Sequence, residues 1–175
     1  MKKMLRITLL VICLVIIIGF LGFKIYTGKI GNKVKYDNSH FGITTYHSNI
    51  DKDNDGVDDQ TDILNSVRSY IATKPKYDSK YYAGGYPSDG YGVCTDVVAF
   101  GLLGAGYDLR ELVNEDIKNN PEKYNIKVRD KNIDYRRVRN LLTYLEENSI
   151  NLTTDIKNID EWQGGDIVVF STHIG

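Results

Sequence analysis

The sequence has few cysteines, few prolines and almost no net charge, and each of these shortages excludes a class of protein. Two cysteines among 175 residues are too few for the disulfide frameworks of small secreted domains. Three prolines and no low-complexity run argue against a disordered chain. A formal net charge of −1 means that the chain has no excess of basic residues to bind nucleic acid, so we expect no nucleic-acid partner. The composition is therefore typical of one globular domain with additional segments outside it.

One long apolar run lies near the amino terminus: ITLLVICLVIIIGFLGF, residues 7–23. It contains no charged residue and follows three basic ones, which is the layout of a signal sequence or a short membrane-spanning helix. No pair of small residues suited to cleavage follows it, so we expect residues 1–24 to be an uncleaved signal anchor. The anchor predicts a single-pass cell-membrane protein with an extracytoplasmic domain after a tether at residues 25–50. The alternative is a cytoplasmic domain, because lysines flank the run on both sides.

An aspartate-rich segment, DKDNDGVDDQTD at residues 51–62, follows the tether. Its acids occupy positions 1, 3, 5, 9 and 12 of a calcium-binding loop, with glycine at 6 and a main-chain carbonyl at 7. We therefore expect Ca²⁺ to bind there. The alternative is a solvated acidic turn that caps the next helix. The predicted ligands are Asp51, Asp53, Asp55, Val57 through its carbonyl, Asp59 and Asp62.

The pattern of apolar residues and turns predicts several helices and then a strand. The predicted helices cover residues 62–71, the stretch from Cys94 to about Gly104, residues 108–117, and a segment capped by Asp134. The sequence GGDIVVF at residues 164–170 predicts a buried strand. Helices first and a strand later indicate an α+β fold.

Cys94 lies where a long glycine-rich loop meets one of these predicted helices. The thiolate is the nucleophilic form of cysteine, and the unpaired N–H groups and dipole of a helix amino terminus stabilise it. The other cysteine, Cys13, lies in the apolar run, so Cys94 has no partner for an intramolecular disulfide. A free thiol on the oxidising side of a membrane is consistent with catalysis. The alternative is a small, buried apolar side chain.

His173 offers the imidazole that a cysteine nucleophile requires. It follows the DIVVF stretch after Ser171 and Thr172. A cysteine at a helix start with a histidine on a following sheet is the arrangement of papain-type enzymes. The alternative is a structural histidine at the end of a strand.

Several charged residues are further candidates for binding substrate beside Cys94 and His173. Asp96, two residues after Cys94, is a candidate for orienting substrate, although capping the helix is its other role. Arg136, Arg137 and Arg139 are candidates for pairing with a substrate carboxylate, but a solvated helix face is the default expectation.

Five ordered motifs carry a family resemblance: DGVDDQTDIL, YYAGGYP, GYGVCTDVV, NIDYRRVRNL and EWQGGDIVVF with HIG. Together they resemble the bacterial family catalogued as domain of unknown function 1287, which is placed among papain-like peptidases. The last motif is also similar to the GDLVFF and HVGI stretch of NlpC-type cell-wall peptidases. The resemblance covers residues 51–175 and implies a papain-like fold, in which the helix bearing the nucleophile packs on an antiparallel sheet. It implies Cys94 as nucleophile and His173 as general base and acid.

Together with the predicted membrane anchor, the resemblance implies an exported, membrane-tethered cysteine hydrolase that cleaves amide bonds in cell-wall (peptidoglycan) peptides, without a cofactor for catalysis. Two alternatives remain: a non-catalytic, calcium-stabilised surface binding module, and a papain-like acyltransferase that uses the same pair with a different acceptor. Papain-like enzymes usually supply a third polar residue after the histidine. Because the sequence stops at Gly175, we expect an incomplete carboxyl end and, as it stands, a weak or inactive enzyme.

Overall fold

The protein is described by a computed structural model over residues 14–19 and 36–175. Five α-helices follow residue 50: α1 (Asp59–Ala72), α2 (Cys94–Gly104), α3 (Leu109–Asn119), α4 (Lys131–Asp134) and α5 (Val138–Asn148). Two short strands, β1 (Lys76–Tyr77) and β2 (Tyr91–Gly92), pair in parallel between α1 and α2. Three 3₁₀ turns, at Asn38–Phe41, Pro121–Lys123 and Ile159–Glu161, complete the regular structure of these residues.

The amino-terminal predictions fall largely outside the described residues. Most of the predicted anchor (1–24) and the first part of the tether (25–50) lie there, and residues 14–19 are helical. In the parts of the chain that the structure describes, we find no helix with the length and apolar character needed to span a bilayer.

Local capping decides where the helices begin. Asp58 caps α1 by accepting from the Thr61 backbone N–H at 3.2 Å, so this helix starts three residues earlier than the sequence pattern predicts. Asp108 caps α3 as expected by accepting from the Glu111 N–H. Asp134 does not cap α5. It ends α4, where its carboxylate pairs with Arg129.

The predicted buried strand at residues 164–170 is instead the first arm of a small, half-buried hairpin. Val169 and Ile174 form an antiparallel bridge, and the Phe170 N–H donates to the His173 carbonyl at 2.7 Å. Phe170 is 63% exposed, because only one face of this arm packs on the helices. Over residues 36–175 the structure contains this bridge and the β1–β2 pair but no larger antiparallel sheet, so the papain-like fold stays a prediction.

Helices α1 and α2 pack closely because α2 carries glycine where the two helices meet. A Cβ built at Gly101 would lie 2.6 Å from Val67 Cγ2 of α1, and the Ser66 hydroxyl donates to the Phe100 carbonyl at 2.8 Å. The core around α2 joins residues from α3, α5 and the hairpin. Its members are Val98, Ala99, Leu109, Val113, Ile117, Tyr124, Tyr135, Leu141, Leu145 and Ile174.

The substitution Gly101→Ala tests this close approach. Alanine is the better helix former by about 1 kcal/mol, but its methyl group would overlap Val67, and overpacking costs about 1–3 kcal/mol. We expect a lower free energy of unfolding in urea. Gly84→Ala is the matched control, since a Cβ there meets no atom within 4 Å. Equal stability of the two variants would contradict the packing argument.

Candidate active site

Cys94 is the first residue of α2 and is half-buried. The preceding residue, Val93, is the N-cap and has extended dihedral angles, but its side chain cannot accept a hydrogen bond. Asp96, at the third helical position, supplies the other half of a capping box, because its Oδ2 accepts from the Val93 N–H at 2.8 Å. The thiol therefore lies at a helix start that is held by a carboxylate from within the same turn. The Cys94 side chain also packs against the core, so its position fits both interpretations of this cysteine.

A buried ion pair holds this carboxylate. Arg136 donates from Nε to Asp96 Oδ1 at 2.9 Å and from Nη2 to Oδ2 at 2.8 Å. The side chains are 0% exposed for Asp96 and 6% for Arg136. The remaining guanidinium nitrogen, Nη1, donates to the Lys80 carbonyl at 2.7 Å, so the arginine also holds the loop before Cys94.

Sequence reasoning missed this pair. It expected Arg136 on a solvated helix face, but the residue precedes α5 and turns inward. The spacing of charged residues gives no signal for a partner forty residues away. Asp96 has both oxygens engaged and caps the helix, while its predicted contact with substrate stays a prediction.

Two tyrosines, the buried Tyr135 and the half-buried Tyr86, fix the glycine-rich loop that leads to Cys94. The Tyr135 hydroxyl donates to the Gly85 carbonyl at 2.6 Å, and the Tyr86 hydroxyl donates to Asp108 Oδ1 at 2.7 Å. Burial raises the pKa of Tyr86 well above its ordinary value, and its hydrogen bond to Asp108 raises it further. Burial likewise raises the pKa of Tyr135. Both hydroxyls therefore remain protonated donors at neutral pH.

His173 lies exposed in the turn of the hairpin. Its neighbour Ile174 is fully buried in the core that also contains Val98 of α2, and Cys94 packs against the same core. A small apolar cavity of about 80 Å³ separates α1 and α2 from the hairpin arm at Ile167. The fold thus brings the histidine segment and the cysteine helix onto one core. Within residues 36–175, no hydrogen bond joins the thiol to the imidazole.

The aspartate-rich loop gathers three of its predicted calcium ligands. Carboxylate oxygens of Asp51, Asp53 and Asp55 all lie within 4.8 Å of one another. The Gly56 N–H donates to Asp51 Oδ2 at 3.0 Å, and a positive φ of 94° at this glycine permits the sharp turn. Three hard oxygen donors in this arrangement suit Ca²⁺.

The other two predicted acids, Asp59 and Asp62, lie outside this group. Asp59 is buried and accepts from the Tyr107 hydroxyl and the Lys52 N–H, so both of its oxygens already have a hydrogen-bond partner. Val57 donates its N–H to Asp55 Oδ1 at 2.8 Å, and calcium binding by its carbonyl stays a prediction. Asp62 Oδ2 is buried without a hydrogen-bond partner. Burial raises the pKa of Asp62, and repulsion from Asp55 adds to the rise.

Replacing Arg136 with methionine tests how strongly the buried pair supports the start of α2. The variant leaves Asp96 charged and buried, so we expect the free energy of unfolding to fall by about 3–5 kcal/mol. Arg68→Met, at an exposed arginine of α1, is the control and should change it by less than about 0.5 kcal/mol. The double variant Asp96→Asn/Arg136→Met should lose less than the sum of its single changes. Additive losses would show that the two side chains do not support each other.

Comparison with known proteins places the chain in a family. The family described as Domain of unknown function (DUF1287) matches residues 64–175. The uncharacterized protein YijF of Escherichia coli (strain K12) is 39% identical over 114 residues, which cover 61% of this chain and 55% of that protein. The chain thus spans about half the length of this curated relative. No solved structure matches the chain significantly. Because the family match covers more than half of the residues, the chain belongs to the DUF1287 family.

Proposed function

We propose that this protein is a cysteine hydrolase of the papain-like clan that cleaves amide bonds through Cys94 and His173. One observation carries the proposal: Cys94 opens α2, and the hairpin bearing His173 inserts Ile174 into the core against which Cys94 packs. A half-buried thiol at a helix start, with an exposed imidazole on an adjoining segment, has the components of a nucleophile and its base.

The proposed reaction proceeds in two steps. The Cys94 sulfur attacks the carbonyl carbon of the amide, while His173 accepts the thiol proton and then gives it to the leaving amine as the C–N bond breaks. Water then hydrolyses the thioester and releases the acid. Backbone N–H groups in the first turn of α2 are suited to stabilise the oxyanion. The Asp96–Arg136 pair positions this turn and takes no part in proton transfer.

The substrate and location belong to the same proposal. The resemblance of the final motif to NlpC-type peptidases supports peptides of the cell wall as substrate. The apolar run at residues 7–23 supports an exported domain held at the membrane, where such peptides lie. An acyltransferase would form the same thioester but pass the acyl group to an amine or alcohol, so product analysis with added acceptors separates the two.

Alkylation of Cys94 tests the proposed pair. We expect iodoacetamide to label Cys94 at pH 7 about tenfold faster in the native chain than in His173→Ala, because the imidazole takes up the thiol proton. Mass spectrometry of the peptide containing Cys94 measures the rate. His40→Ala, at another exposed histidine, serves as the control and should leave the rate unchanged. Equal labelling of all three proteins would mean that the histidine does not activate the thiol.

Calcium binding is a second proposal, and it suits the binding-module alternative as well as the hydrolase. It is favoured by the three grouped acids, Asp51, Asp53 and Asp55, and by the buried, unpaired oxygen of Asp62. A cation there would reduce the repulsion among these carboxylates. The two functions differ at Cys94, because a binding module whose thiol is structural would resist alkylation in the folded state.

Thermal unfolding with and without calcium tests the loop. With a dissociation constant of about 10⁻⁴ to 10⁻³ M, typical of extracellular sites, about 5 mM calcium should stabilise the protein by roughly 1–2 kcal/mol. Asp53→Asn should remove this gain, because it takes away one of the three grouped carboxylates. Asp160→Asn, at an exposed acid outside the loop, should retain it. A gain that survives in Asp53→Asn would point to calcium bound elsewhere.

A further inference from the structure

A second candidate site lies beside the start of α5. Five residues line an open cavity of about 270 Å³, here called the basic pocket: Asn125, Lys127, Val128, Arg137 and Arg139. Three of the five carry a positive charge. This concentration of cations stands out in a chain whose formal net charge is −1.

The charges of the basic pocket are not neutralised within the described part of the chain. Lys127, Arg137 and Arg139 have no carboxylate within ion-pair distance there, whereas the adjacent Arg136 is fully paired with Asp96. The same short run of sequence therefore contains one arginine used by the fold and two that remain available to a ligand.

Backbone groups add to the positive potential of the basic pocket. Arg137 is the N-cap of α5, which is 11 residues long, and no side chain caps this helix. Its first turn contains no acidic residue. The unpaired N–H groups and the helix dipole therefore act in the same direction as the arginines.

One of the arginines is already oriented. Arg139 donates from Nη2 to the Asn125 carbonyl at 2.7 Å, which leaves its other N–H donors for a ligand. A guanidinium held in place loses less side-chain entropy when it pairs with an anion. Val128 is 77% exposed at the same cavity and offers an apolar contact to whatever carries the anionic group.

We propose that the basic pocket binds the oxyanion group, carboxylate or phosphate, of a small soluble ligand. Arg137 and Arg139 supply planar donors that match such a group, and Lys127 supplies a point charge. The site lies near the cysteine helix in space, because the Thr95 hydroxyl at the start of α2 donates to the Arg136 carbonyl at 3.3 Å and Arg137 is the next residue. The inference goes beyond the proposed hydrolase, because anion binding does not require a reactive Cys94.

Calorimetric titration of the full chain in detergent micelles tests the proposal with three probes: sodium phosphate, acetyl-alanyl-alanine, and the same dipeptide as its carboxyl-terminal amide. We expect phosphate or the free-acid dipeptide to bind and the amide not to bind. Arg137→Gln and Arg139→Gln should each raise the dissociation constant about tenfold, the effect of losing a charged hydrogen bond. Arg68→Gln removes an exposed arginine of α1 and should leave it unchanged.

The results also identify the source of the anion. Binding of phosphate alone indicates a phosphorylated ligand, and binding of the dipeptide alone indicates a peptide carboxylate. Failure of both probes to bind at about 10 mM, well above typical ligand levels, would overturn the proposal. An equal loss of affinity in Arg68→Gln and in the pocket variants would also overturn it, because the probe would then be attracted by the net charge of the protein and not by the basic pocket. Unchanged melting temperatures in the variants confirm that binding, and not folding, is measured.

Discussion

The ion pair between Asp96 and Arg136 is the constraint on which the arrangement around Cys94 depends. Asp96 lies in the first turn of α2 and fixes the entry of the chain into this helix, because it accepts from the N–H of Val93, the N-cap. A carboxylate that is fully buried is costly unless a charged partner meets it, and Arg136 does so with two nitrogens. The third nitrogen binds the Lys80 carbonyl. One guanidinium thus holds the helix start, the preceding loop and the entrance to α5 together.

The opposite end of α2 is held by the aspartate-rich loop. Gly106, just past this end, has φ of 79°, and a Cβ there would lie 3.2 Å from the Cβ of Asp53. Tyr107 next to it donates to Asp59 at the start of α1. An α-helix rises about 1.5 Å per residue, so the eleven residues of α2 separate Cys94 from this loop by roughly 16 Å. A cation in the loop would therefore stabilise the fold and could not act as a Lewis acid at the thiol.

The features predicted correctly from the sequence are those decided by neighbouring residues. Asp108 caps α3, and Cys94 opens α2, because capping and apolar periodicity operate over a few positions. The failures involve distant partners. Periodicity places Arg136 on a helix face, but its conformation is set by Asp96, far away in sequence. Residues 164–170 have the composition of a buried strand. Their burial, however, depends on how closely α1 and α2 pack against them and on the pairing of Val169 with Ile174, and neither can be predicted from the local pattern of apolar residues.

The RRVR run shows how four residues can serve two purposes. Arg136 lies before α5 and points into the core, where it neutralises Asp96 and exposes little of its guanidinium. Arg137 and Arg139 lie at and after the N-cap, where the helix start is already positive, its first turn contains no acid, and neither arginine has an ion-pair partner among the described residues. Keeping two unpaired arginines against a helix dipole is unfavourable by itself. A fold that needed only the buried pair would be more stable with an acid at this helix start, and an anionic ligand supplies that missing negative charge.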